Sequence, residues 1–199
     1  MQTYARQGGS STIFINDDGL QLLPQADRDA RIAYYTNHGI GYVARPPHDN
    51  KPGGFKRAGR FKKASNMNYG LRLSLRLEKH LAALREKERN EPGSAVGTVR
   101  AQVGSRLLAS STAGANESAE SSGSRLASPN PDVQTLDEDK TSLEDMALFL
   151  AVEEEYDETG KLFRPWAANG AAIRMGEIVL LVDSDTVVPE VSLFLAQIG

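Results

Sequence analysis

Glu177-Ile-Val-Leu-Leu-Val-Asp-Ser-Asp-Thr-Val-Val-Pro-Glu190 is the stretch that governs how the rest of the chain is read. The apolar run Ile178 to Val182 leads into Asp183 and Asp185, and Pro189 ends it. A short run of Ile, Val and Leu predicts a strand buried on both faces, as in parallel sheets covered by helices. Ligands of open α/β sheets bind just beyond the carboxyl ends of such strands. Side chains alternate along a strand, so Asp183 and Asp185 share one side. Paired carboxylates supply the oxygen ligands that a hard divalent cation takes. A D-x-D at an exposed strand end with no ligand fits the same residues, since so short a motif recurs by chance.

Composition sets the bounds. The chain has 199 residues, 40% hydrophobic and 25% charged, with a formal net charge of −3. These values are ordinary for a globular protein and imply no global attraction to nucleic acid. The absence of cysteine excludes disulfides, thiolate metal sites and a cysteine nucleophile. Met1 to Gly9 has no apolar core, so it does not read as a secretory signal. No run approaches the roughly 20 apolar residues of a membrane helix. The expectation for the chain as written is a soluble, cytoplasmic protein.

Ahead of the D-x-D stretch, Ile13-Phe-Ile15 predicts a second short strand that also ends in carboxylates, Asp17 and Asp18, with Gly19 for a turn. Pro24 suits the first turn of a helix over Gln25 to His38, whose apolar positions are Ala26, Ala30, Ala33 and Tyr34, closed by Gly39. Ile40 to Ala44 predicts a third strand, weakened by Gly41, before Arg45-Pro-Pro47. Strand, helix, strand is the unit of a parallel sheet with a right-handed crossover.

Residues 46 to 63 form a loop rich in Pro, Gly and cations, with Phe55 and Phe61 interleaved. It fits a solvated basic loop, a nucleic-acid surface, or a phosphate-facing entry to a helix N-terminus. Ser65 or Asn66 would cap a helix over about Met67 to Arg89, with Leu73, Leu77, Leu81 and Leu84 in one stripe for packing against the sheet. Residues 91 to 140, dominated by Ser, Ala, Gly, Asn and Glu, offer too little apolar surface to offset ordering entropy and read as a disordered insertion. Order is expected again from Ser142, which with Asp145 resembles a capping box, through a helix to about Tyr156 whose Glu153, Glu154 and Glu155 read as solvated. Arg164 and Trp166 fit local packing or a ligand stack. The expected organisation is one domain in two parts, 1–90 and 141–199, around the insertion.

Three families share parts of this pattern. Asp183-Ser-Asp-Thr-Val-Val188 is similar to the nucleophile motif of haloacid-dehalogenase-type phosphatases, but there the motif opens the domain. Asp17-Asp18 with a later Asp is similar to receiver domains, whose spacing is far shorter. Asp17-Asp-Gly19, Lys63-Ala-Ser-Asn-Met-Asn68 and Asp183-Ser-Asp185, in that order, resemble family 2 glycosyltransferases of the polysaccharide-synthase branch. Ile32 to Pro46 and Phe61 to Tyr69 look like a fungal cellulose-synthase-like group, and the matched segments lie between about residues 11 and 190.

That resemblance implies an incomplete GT-A domain: a Rossmann-like, nucleotide-diphospho-sugar transferase fold with a mostly parallel sheet. It implies a nucleotide diphosphate sugar donor, a UDP-sugar first, and a glycan acceptor in the full-length form. Asp17 and Asp18 would lie at the nucleotide, Lys63, Asn66 and Asn68 at the diphosphate, and Asp183 and Asp185 would hold Mg²⁺ or Mn²⁺, with Asp183 also touching the donor. The metal would neutralise charge on the leaving diphosphate and a lysine would add to it. The family's T-E-D general base and its Q-x-x-R-W acceptor motif are not in the sequence, and Leu143-Glu-Asp145 precedes the metal motif. No catalytic residue is therefore assigned, and the chain reads as the interior of a larger, membrane-associated synthase with a cytoplasmic catalytic domain. A non-catalytic remnant binding a nucleotide or a protein is the alternative.

Overall fold

The structure is a computed structural model that describes residues 11–58, 62–92, 97, 142–176 and 179–182. The insertion expected at 91–140 falls almost wholly outside the described residues, as do Asp183 and Asp185.

The chain folds as mixed α/β. Strand β1 (Phe14–Asn16) is followed by a 3-10 turn (Leu20–Leu22), helix α1 (Gln25–Asn37) and strand β2 (Gly41–Ala44). A long helix α2 (Lys62–Asn90), helix α3 (Leu143–Glu158), strand β3 (Trp166–Ala168) and a single turn of helix, α4 (Gly170–Ile173), follow among the described residues. The sheet order is β1-β2-β3. The β1 and β2 strands are parallel, as the strand-helix-strand pattern predicts. By contrast β3 runs antiparallel to β2, pairing Tyr42 with Ala168 and Ala44 with Trp166, so the sheet is mixed where a mostly parallel one was expected. Residues 166–168 carry no periodic signal of their own; Trp166 and Ala167 are buried by their place beside β2 rather than by pattern.

All four residues of β2 are buried, which fits a central strand covered on both faces. Alternation sends Tyr42 and Ala44 to a core with Leu20, Ile32, Tyr35 and Trp166. It sends Val43 to the larger core of α2 and α3. The leucine stripe is confirmed as core: Leu73, Leu77, Leu81 and Leu84 are buried, and they share that cluster with Met146, Ala147, Ala151 and Val152 of α3. Full burial of one such leucine is worth about 2 kcal/mol. The stripe thus meets a helix as much as the sheet.

Several local expectations need correction. In α1 the buried positions are Ile32 and Tyr35, while Ala26, Ala30 and Ala33 are exposed and Tyr34 is 55% exposed. Larger side chains gain more from burial than alanines and set the inward face. Gly39 does close the turn, with φ of +63° that favours glycine. Helix α2 starts at Lys62, so Ser65 and Asn66 lie inside it and cap nothing. The Glu153 and Glu155 side chains are not solvated but buried, against Arg164 and Arg72 respectively. Ser142 caps α3 as expected, its Oγ accepting from the Asp145 N–H at 3.1 Å.

The opening strand expectation fails in its described part. Val179 to Val182 form no strand, and Leu180 and Leu181 are 58% and 66% exposed. An apolar run specifies that a segment prefers burial but not which surface covers it, and none of β1, β2 or β3 pairs with this segment.

Candidate functional site

Polar side chains converge at the carboxyl ends of the parallel strands β1 and β2. Asp17 directly follows β1 and is 9% exposed. Its Oδ1 accepts the Gly19 N–H at 3.1 Å, and its Oδ2 accepts Tyr35 Oη at 2.9 Å and Arg31 Nη1 at 3.1 Å. Burial, and then the hydrogen bond to this carboxylate, holds the Tyr35 phenol above its ordinary pKa. The Asp17 hydrogen bond likewise raises Arg31.

Asp18 faces the other way and meets cations. Arg45, the first residue after β2, is 2% exposed and grips it with both prongs, Nε to Oδ1 at 2.8 Å and Nη2 to Oδ2 at 2.6 Å. Arg57 adds Nη1 at 3.5 Å from Oδ2 and donates from Nη2 to the Asp18 carbonyl at 3.1 Å. The loop that carries Arg57 is itself tied down. The Arg57 N–H donates to His48 Nδ1 at 3.1 Å, so the proton of that ring sits on Nε2, which donates to Asn50 Oδ1 at 2.9 Å. Phe55 of the same loop packs on Phe163, with centroids 5.4 Å apart. A ring held against the core is no platform for a base, which removes the stacking element of a nucleic-acid reading at this position.

The amino end of α2 docks on the same loops. Arg45 Nη1 donates to Ser65 Oγ at 2.9 Å, and Asn66 Nδ2 donates to the Asn16 carbonyl at 3.2 Å. Gly70 lets the helix sit this close: a Cβ there would lie 2.2 Å from Asn16 Oδ1 and 2.7 Å from Phe14 Cζ. Lys63 is exposed on the first turn, three residues before Asn66 and on the same side of the helix. Asn68 is exposed and two residues on, a spacing that turns it away from Asn66.

The structure therefore docks Ser65 and Asn66 of α2 beside the loop that carries Asp17 and Asp18, with Lys63 exposed one turn before Asn66 and Asn68 turned away from it. Asp183 and Asp185 lie outside the described residues, so the Mg²⁺ or Mn²⁺ assignment rests on sequence. Among the described residues no group of three or more His, Asp or Glu side chains could hold a metal ion. Nor, among them, is any helix long and apolar enough to cross a membrane. Sequence reasoning missed Arg45, Arg57, Arg31 and Tyr35. Arg45 did leave a signal, as a lone cation closing an apolar strand before two prolines.

A separate open groove of about 600 Å³ runs between α2 and α3, lined by Lys79, His80, Phe149, Glu153 and Glu154 among others. Its charges face one another, with His80 Nε2 at 2.7 Å and Lys79 Nζ at 3.2 Å from Glu154. None of the predicted site residues lines it. Comparison with family models, with curated proteins and with solved structures finds no match to this chain.

Proposed function

We propose that this chain supplies donor-binding residues of a nucleotide-sugar-dependent, metal-dependent glycosyltransferase of polysaccharide synthesis. The observation that carries the reading is the hydrogen bond from Asn66 to the Asn16 carbonyl, which joins the Asp17-Asp18 loop to the Lys63 end of α2. These segments are far apart in sequence and are the ones whose motifs resemble family 2 glycosyltransferases. They meet at the carboxyl ends of parallel strands, where α/β sheets bind ligands, and beside a helix amino end, which favours phosphate. In this reading Asp17 and Asp18 border the nucleotide, Lys63 and Asn66 border the diphosphate, and Asp183 and Asp185 hold Mg²⁺ or Mn²⁺.

A non-catalytic role is the second reading, and one observation favours it. Asp17 already accepts three hydrogen bonds and Asp18 two guanidinium groups, so both carboxylates serve the fold. A carboxylate has about four acceptor sites, which leaves Asp17 little capacity for a ligand. Titration of UDP with Mn²⁺ separates the two. Saturable binding lost in the Asp183→Asn, Asp185→Asn double variant supports the donor site; no binding supports the remnant.

A further inference from the structure

We infer that Arg45 is a positioning residue that sets the amino end of α2, and with it Lys63 and Asn66, against the Asp17-Asp18 loop. Whether that geometry serves a nucleotide rests on the donor-site reading. Arg45 binds side chains in both halves of the cluster: two prongs on Asp18 and the third nitrogen on Ser65 Oγ. At 2% exposure it is held away from solvent and acts through its neighbours. The guanidinium is planar, so fixing Nε and Nη2 on one carboxylate fixes where Nη1 points. Ser65 must sit at that point, and Asn66 is the next residue. A lysine has one nitrogen and cannot hold both partners in this geometry.

The contact also explains why α2 starts before the residues expected to cap it. Ser65 is drawn into the helix as an acceptor for Arg45, and the first turn that carries Lys63 is supported from β2. The Asn66 to Asn16 bond supports the same turn from β1. The amino end of α2 is thus referenced to the ends of both parallel strands.

The Ser65→Ala variant tests this without exposing the buried ion pair, because Asp18 keeps both Arg45 prongs. Expected are faster amide hydrogen exchange over residues 66–69, unchanged exchange in α3, and about a fivefold loss of UDP affinity in Mn²⁺, one hydrogen bond's worth. Ser65→Thr, which keeps the hydroxyl, restores both. Unchanged exchange at 66–69 overturns the inference whatever UDP does. In a chain that binds UDP, faster exchange with unchanged affinity overturns the part of the inference that reaches Lys63 and Asn66, since Arg45 then holds the helix without setting the site. A wild-type chain that binds no UDP, with faster exchange in Ser65→Ala, overturns the donor-site reading alone and leaves the placement of α2 by Arg45 standing.

Discussion

Arg45 and Asp18 form a two-pronged ion pair, Nε to Oδ1 at 2.8 Å and Nη2 to Oδ2 at 2.6 Å, with the arginine buried and the aspartate 24% exposed. Removing one partner of such a pair leaves the other poorly compensated. Arg45→Met is expected to lower stability by about 3 kcal/mol, read as a lower urea midpoint at unchanged slope. Asp18→Leu added to Arg45→Met recovers none of that loss, because Asp18 still pairs with Arg57 at 3.5 Å and its removal strands that second guanidinium.

The Gly70 position in α2 is set by contact rather than by helix propensity. Alanine is the better helix former, yet its Cβ would overlap Asn16 Oδ1 and the Phe14 ring. Gly70→Ala is expected to destabilise by about 2 kcal/mol, where propensity alone predicts a gain. Thermal unfolding monitored by circular dichroism gives the sign.

Leu77 and Leu75 lie two residues apart on α2 and differ in burial, at 0% and 70% exposure. Leu77→Ala should cost about 3 kcal/mol through lost burial and a cavity, and Leu75→Ala within about 0.5 kcal/mol of nothing. Paired denaturation curves check the contrast.

Two groups predict how stability varies with pH. Desolvation opposes ionisation of Glu154, but hydrogen bonds from His80 and Lys79 outweigh it and lower its pKa. Its contribution is then full above the ordinary glutamate value of about 4.3 and is lost as pH falls through the lowered folded value. The raised Tyr35 phenol has the opposite sign: its contribution is full below about pH 10 and is lost as pH rises toward the folded value. Glu154→Gln should flatten the acid limb of the stability profile and Tyr35→Phe the alkaline limb.

The elements with strong local patterns were legible in the sequence. The leucine stripe of α2, the cap of α3 at Ser142 and the β1-α1-β2 order follow from periodicity, capping chemistry and turn residues. What was not legible depends on tertiary partners. Trp166-Ala-Ala168 is a strand because β2 offers a ladder, and the burial of Glu153 and Glu155 depends on arginines far away in sequence. Val179 to Val182 show the converse, a strong strand pattern without a ladder. At the candidate site the motifs named Asp17, Asp18, Lys63 and Asn66, of which Asn66 bonds the carbonyl of Asn16, just before Asp17. Of the arginines that organise them only Arg45 left a trace, at the end of its strand, and its partner was not legible because a cation's sequence position says nothing about which carboxylate it meets.

The central claim is that the Asp17-Asp18 loop and the amino end of α2 form one nucleotide-diphosphate site. Calorimetric titration of UDP with Mn²⁺ into the wild-type chain and into Lys63→Ala tests it most directly. The account predicts saturable one-site binding by wild type and a loss of about tenfold or more on removing the lysine, as expected for a charge-assisted bond to phosphate. No saturable binding by wild type, or equal affinity in Lys63→Ala, would contradict it.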